Sequence, residues 1–263
     1  MPRILILNSN TTASITDLVT QHVRAELDDR FTLKPVTARF GARYISTEVS
    51  YAIAGHAALD CVAEHGADCD AILLACFGDP GLFALREVSP APVVGLAEAA
   101  MQEAAAHGRF SIVTGGVLWK PMLERLAFSL GCLNAIASIR PITLTGDQIA
   151  ADPDGALRFL AAEARAAAEQ DGAQAVILGG AALAGLAARF AHDVPVPLVD
   201  SVLAGARVTA ARASAYVAAV AARSVATFAV NAATTATTAD TTAQLRPATP
   251  TTGLSPALAR LLG

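Results

Sequence analysis

The sequence predicts an α/β protein of two related lobes, each a parallel sheet covered by helices, with a functional cleft between them. Three observations carry this reading. Short apolar runs alternate with longer helical patterns along the whole chain, the arrangement of parallel sheets covered on both faces. Three strand-plus-turn segments recur later in the chain at nearly one offset. And 54% of the 263 residues are hydrophobic against 16% charged, enough to fill the core of one large domain or of two lobes.

In chain order, the strand candidates are residues 4–7, 31–36, 71–75, 93–94, 110–114, 136–142, 175–178 and 198–199. Helical patterns cover 14–27, 47–65, 96–107, 119–130, 153–170 and 202–225. The repeat lies on top of this alternation. Asp70-Ala-Ile-Leu-Leu-Ala-Cys76-Phe-Gly-Asp-Pro-Gly-Leu82 aligns with Gln174-Ala-Val-Ile-Leu-Gly-Gly180-Ala-Ala-Leu-Ala-Gly-Leu186, an offset of 104. Ala91-Pro-Val-Val-Gly-Leu96 aligns with Val196-Pro-Leu-Val-Asp-Ser201 at 105, and Arg3-Ile-Leu-Ile-Leu-Asn-Ser-Asn10, more loosely, with Arg109-Phe-Ser-Ile-Val-Thr-Gly-Gly116 at 106. Common order and spacing point to duplication. Two such lobes would face each other about a pseudo-twofold axis with strand C-termini at the cleft, where open α/β sheets hold ligands. The first lobe is read as 1–97 completed by 200–225, the second as 98–199. The Thr/Ala/Pro-rich tail from 226 to 263 reads as low-complexity and disordered, with one or two helical turns at 254–262.

A net charge of -4 and a pI near 5.7 leave no electrostatic footprint for nucleic acid or an anionic membrane. The apolar stretch 204–230 is interrupted by Arg207, Arg212 and Arg223, which favours a packed helix over a membrane span. The start of the chain has no signal-peptide pattern. The four cysteines form no CxxC pair, so reduced thiols in a cytoplasmic protein are expected, and no His or Cys spacing suggests a metal. A small molecule is the expected partner.

Cys76 ends an apolar strand and precedes the turn Phe77-Gly78-Asp79-Pro80-Gly81. Backbone N–H groups and a helix terminus there would lower a thiol pKa and hold a carboxylate or enolate oxygen. The competing reading is a small buried hydrophobe, the usual fate of a free cysteine. Asn8, Ser9, Asn10, Thr11 and Thr12 follow the first strand; capping explains part of that run, and substrate orientation is the reading for the rest. Thr114-Gly115-Gly116 occupies the matching place in the second half and offers N–H groups to an anion, or is a bare turn. Asp200-Ser201 reads as a simple N-cap pair; Arg43, Tyr44 and Glu48 sit before a helix within reach of the cleft, with exposed charge the favoured reading. Cys61, Cys69 and Cys132 read as core.

These segments resemble the aspartate/glutamate/hydantoin racemase superfamily, in particular its hydantoin and allantoin racemase branch. The resemblance rests on Ile-Leu-Ile-Leu-Asn-Ser-Asn-Thr-Thr at 4–12, Ala-Cys-Phe-Gly-Asp-Pro-Gly-Leu at 75–82, Pro-Val-Val-Gly-Leu-Ala-Glu-Ala at 92–99 and Val-Pro-Leu-Val-Asp at 196–200. It implies two Rossmann-like lobes, no cofactor, a homo-oligomer, and two cleft cysteines acting as opposed acid and base at a carbon beside a carbonyl. Cys76 matches one of the two. At the other the chain has Leu178-Gly179-Gly180, and the internal repeat independently sets Gly180 opposite Cys76.

Racemization by two bases needs a group on each face of the carbon. Three readings therefore stand: a racemase or epimerase that recruits water or a residue such as Asp79, a single-cysteine lyase like arylmalonate decarboxylase, and a non-catalytic binder. The substrate expected is a small hydantoin-like or amino-acid-like molecule with a carbonyl or carboxylate. Cys76 is expected to carry catalysis with a depressed pKa. Asn8, Ser9, Asn10, Thr11, Phe77, Gly78, Asp79, Thr114, Gly115, Gly116, Gly180 and Ala181 are expected to bind the substrate. Gly180→Cys is expected to supply the missing group.

Overall fold

The structure, a computed structural model, describes residues 1–233 and 251–262. Its first half contains β1 (Arg3–Asn8), α1 (Ala13–Leu27), β2 (Thr32–Thr37), α2 (Glu48–His65), β3 (Ala71–Leu74), α3 (Leu82–Val88), β4 (Val93–Gly95) and α4 (Leu96–Ala105). The second half contains β5 (Phe110–Gly115), α5 (Trp119–Ser129), β6 (Ile136–Ile142), α6 (Gly146–Ala151), α7 (Pro153–Glu169), β7 (Ala175–Gly179), α8 (Ala187–Phe190) and β8 (Leu198–Asp200). α9 (Ser201–Ala233) and α10 (Pro256–Leu262) follow.

The strands form two parallel four-stranded sheets, ordered β2-β1-β3-β4 and β6-β5-β7-β8. The order is the same in both, as the repeat requires. All four residues of β3 and all five of β7 are buried, because each strand is central and covered on both faces. α1 shows the complementary pattern: Ile15, Val19, Val23 and Leu27 recur every fourth position and form its buried stripe.

The two sheets share helices. α4 packs on β5, β7 and β8, whereas α9 packs on β1, β3 and β4, and the two helices lie against each other. Leu96 and Leu73 approach α9 closely at Gly205. An exposed two-pronged ion pair from Arg125 of α5 to Glu48 of α2 (2.5 and 2.9 Å) also crosses between the halves; exposed pairs of this kind contribute about 0–1 kcal/mol.

The tail departs from expectation. α9 continues through Ala233, into the span read as disordered, and residues 234–250 and Gly263 lie outside the described residues. α10 docks on α2, burying Leu258, while Ser255 Oγ donates to the buried Asp60 carboxylate that Arg39 also contacts at 2.6 Å. One apolar anchor and one buried acceptor suffice to fix the short helix. Short helices α3, α6 and α8 also escaped the periodicity, since none exceeds seven residues.

One bond sets the position of the loop that follows β3. Asp79 sits in the left-handed region (φ 52°), and its buried carboxylate accepts the Ala97 amide at 3.0 Å and the Glu98 amide at 2.8 Å. These are orphan donors at the start of α4, satisfied by a side chain sixteen residues upstream of Gly95. A β-carbon on Gly95 would overlap that carboxylate. Asp79→Ala should lower the unfolding free energy by about 2–3 kcal/mol, and Gly95→Ala by about 1–3 kcal/mol, in urea titrations. Because both act on one contact, the double variant should lose less than the two together; strict additivity would show that the tie is not shared.

Candidate functional site

A cavity of about 120 Å³ lies where the two sheets end, the size of a small heterocycle or amino acid and not of a polymer. Asn10, Cys76, Phe77, Thr114, Gly115, Gly116, Gly180 and Ala181 line it, so eight of the residues expected at the site converge. Cys76 and Gly180 face one space.

The loop after β1 divides its work. Asn8 is fully buried, and its Nδ2 donates to Asn10 Oδ1 (3.0 Å), the Thr12 carbonyl (3.2 Å) and Thr16 Oγ1 (3.0 Å). Asn10 Oδ1 also accepts the Thr12 amide at 2.8 Å, which leaves the Asn10 Nδ2 donors for a bound molecule. The Thr11 amide and Thr12 hydroxyl reach across to the Ala42 and Arg43 carbonyls at 3.1 and 2.6 Å. That pins the following segment, and Tyr44, Ile45 and Ser46 line the cavity as a result.

Asn8, Ser9, Thr11, Gly78 and Asp79, expected to touch substrate, are therefore corrected to supporting positions outside the lining. Asn8 and Thr11 spend their polar groups on the scaffold. The Gly78 carbonyl accepts Tyr51 Oη at 2.8 Å. Asp79 is committed to α4, and burial pushes its carboxyl up to about 7 while the Ala97 and Glu98 amides hold it down. Its carboxylate is thus unavailable as a second acid/base group.

The Cys76 thiol is buried between Ala75 and Phe77. Burial pushes its pKa up to about 12; the Ser9 hydroxyl pulls it down and the Asp79 charge adds to the rise. The buried Ser9 Oγ makes no hydrogen bond of normal geometry among the described residues. The expected depression is overturned because loss of water outweighs the dipolar groups around the sulfur. Cys76 is therefore a neutral thiol at neutral pH. Cys61 and Cys69 are buried and free, as expected of core thiols, and burial pushes them up to about 12 and 11; Cys132 is half-buried and free.

Phe77, Ala181 and Ala182 line the cavity, and their amides have no backbone partner among the described residues, Ala181 and Ala182 being the first residues of a 3₁₀ turn. The Gly116 amide, also expected to bind an anion, donates instead to the Ile142 carbonyl at 3.0 Å. The lobes touch directly here: the Phe77 ring lies on Gly179, where a β-carbon would overlap it, and Trp119 covers Gly78.

The sequence missed the far wall. Thr145, Gly146, Asp147 and Ile149, from the start of α6, line the cavity beside Trp119, Ala182 and Leu183. The capping box Thr145-x-x-Gln148 was the available signal, and nothing in it says that the helix faces a cleft. Asp200 proves more than a local cap: it accepts Val202 at 2.9 Å and also the Gly185 amide at 2.7 Å, tying the loop after Gly180 to α9. Among the described residues no group of His, Cys, Asp or Glu side chains is arranged to hold a metal, and no helix is long and apolar enough to cross a membrane.

Gly180 has φ 152° and ψ 135°, and a β-carbon there would meet Leu183 Cγ and Cδ1 at 3.2 Å. An L-residue is disfavoured in that region. The expectation that Gly180→Cys supplies the missing group meets this strain: the variant should unfold at lower urea than its parent. A variant as stable as the parent would show that the loop re-forms around the new side chain. A second outcome follows for Cys76. Its alkylation by iodoacetamide at pH 7–8 should be slower than that of free cysteine and should climb steeply toward pH 11; a rate already level by pH 8 would contradict a neutral thiol.

Residues 4–209 match the family described as Asp/Glu/Hydantoin racemase. The hydantoin racemase of Pseudomonas sp. (strain NS671) is 31% identical over 209 residues, 78% of this chain and 83% of that protein. The hydantoin racemase of Paenarthrobacter aurescens is 32% identical over 209 residues, 78% and 89% of the two chains. Among solved structures, the allantoin racemase of Pseudomonas fluorescens superposes with a TM-score of 0.77 at 30% identity, covering 80% of this chain and 89% of its own. A family match over the whole two-lobed core, a strand-end thiol and a small cavity between the lobes agree: the chain belongs to the Asp/Glu/hydantoin racemase family.

Proposed function

We propose that this racemase interconverts the two hands of a small cyclic ureide, a 5-substituted hydantoin or allantoin, by moving the proton on the ring carbon beside a carbonyl. The observation that carries the reading is the cavity itself, where the Cys76 thiol stands among backbone donors from both lobes. A planar ring seated there presents its carbonyl oxygens to the amide of Phe77 on one side and to those of Ala181 and Ala182 on the other. When the ring carbon loses its proton, negative charge moves onto a carbonyl oxygen. Donors fixed beforehand then strengthen their bonds without reorganising, the most effective form of transition-state stabilisation. Asn10 Nδ2 adds a donor on the first-lobe side. The names of the relatives supply the substrate class, and the apolar wall of Ile15, Ile45, Trp119 and Ile149 suits an alkyl or aryl substituent.

Cys76 delivers and removes the proton on its own face. As a neutral thiol it is loaded to donate; the Ser9 hydroxyl beside it helps to hold the thiolate that donation leaves. The packing of α4 on the second sheet and α9 on the first supports a division into 1–97 with 200–225 and 98–199, the cavity lying between the two.

Cys76→Ser should cut racemization of a single-handed 5-substituted hydantoin by about 10²-fold or more, followed by polarimetry at a pH where spontaneous racemization is slow. Circular dichroism should show the fold unchanged, since the side chains are similar in size. A serine variant with near-parental turnover would overturn the assignment.

A further inference from the structure

We propose that Asp147 is the acid/base group on the face of the substrate opposite Cys76, taking the place of the thiol that position 180 does not provide. This rests on the racemase reading of the same cavity.

The first support is chemical inventory. Of the residues lining the cavity, the titratable ones are Tyr44, Cys76 and Asp147, and Asp147 is the carboxylate among them. Asp79, the other acid near the thiol, is bound to the start of α4. The second support is place. Asp147 lies on α6, which packs against the 3₁₀ turn Ala181–Leu183 directly after Gly180. Its neighbour Ile149 reaches Gly115, and Gly146 lies beside the Tyr44 ring. Asp147 thus borders the cavity from the second lobe while Cys76 borders it from the first. The third support is what position 180 disfavours, since its backbone favours glycine and a β-carbon there would press on Leu183 at 3.2 Å.

The charge states complement each other. Bonding from the Thr145 hydroxyl holds the Asp147 carboxyl below its usual range, with Arg43 acting in the same sense. The cavity is therefore bordered by an ionised carboxylate and a protonated thiol, the pair a two-face proton transfer needs at its outset. Asp147 is also exposed to solvent, which opens a route for proton return.

The step balances as follows. Asp147 removes the proton from the ring carbon, and the C–H electron pair moves onto the neighbouring carbonyl oxygen. The Cys76 S–H then gives its proton to the opposite face, the carbon–carbon double bond of the enolate supplying the electrons. This leaves the mirror-image product, a neutral Asp147 carboxylic acid and a Cys76 thiolate. Proton return through water resets the pair, or the same steps run backward on the other hand.

The test follows each enantiomer of one 5-substituted hydantoin separately in heavy water, with the parent, Asp147→Asn and Asp147→Glu, reading deuterium uptake by NMR and hand by chiral chromatography. In the parent, deuterium should enter with inversion. Asp147→Asn should lose interconversion by about 10²-fold or more, while the enantiomer whose C–H faces Cys76 keeps a slow exchange with retention that climbs as rising pH ionises the thiol, and its mirror image does not exchange. Asp147→Glu should recover part of the inversion. Because Asp147 is exposed, its variants should melt close to the parent. The proposal is overturned if Asp147→Asn inverts at close to the parental rate, or if exchange falls equally for both hands. A parent that neither exchanges nor inverts any hydantoin or allantoin would sink the substrate reading itself, a result distinct from all of these.

Discussion

The position of the loop that carries Cys76 depends on one bonded carboxylate, Asp79 on the first amides of α4. Cys76 lies three residues before Asp79, in the turn that also carries Phe77 and its amide. α4 packs on the opposite sheet. The bond therefore fixes the thiol relative to the second lobe as well as the first. The second lobe solves the same problem with the partners exchanged. There Asp200, at the end of β8, binds the Gly185 amide in the loop after Gly180 and caps α9. The repeat sets Asp200 against Gly95, and Gly95 is the residue on which a β-carbon would overlap the Asp79 carboxylate. One carboxylate per lobe joins loop to helix, and each lobe has room for one.

Burial gives this cavity both its strength and its thiol chemistry. Parallel strands covered on both faces end in a largely apolar space, where fixed N–H dipoles act more strongly than they would in water. The same burial disfavours the Cys76 thiolate and keeps the proton on sulfur. The Ser9 hydroxyl offsets this only in part. Geometry that aids an enolate oxygen thus also arms the thiol as an acid, and the two effects act on the same intermediate.

The chain reveals its sheets more readily than its site. All eight strands were legible because central parallel strands are unbroken aliphatic runs, as in Ala71–Leu74 and Ala175–Gly179. Duplication was legible because strand-end turns keep small residues. The role of Asp79 was not, since an acid in a turn looks the same whether it faces a ligand or a helix sixteen residues on. The thiol pKa was misjudged for a similar reason: nearby donors can be inferred from a strand–turn–helix pattern, while the degree of desolvation depends on Phe77, Trp119 and α4 closing over the site from distant sequence. Tyr44 and Asp147 lay in short loops whose direction is set by bonds such as Thr12 to Arg43 and by a six-residue helix.

Likeness of topology between the lobes conceals a difference in what each strand end offers. The first lobe presents a side chain, Cys76, with amides behind it. The second presents amides alone, because Gly180 adopts a backbone conformation that suits glycine and Leu183 occupies the volume beside it. A β-carbon at this position would press on Leu183, so a cysteine could return only if that side chain shifted and the backbone tolerated it. On the reading proposed above, a second-face proton carrier comes from another element bordering that strand end, and α6 is an element packed against it. Duplication would then have kept backbone amides at both strand ends while the acid/base chemistry left the symmetric position on one.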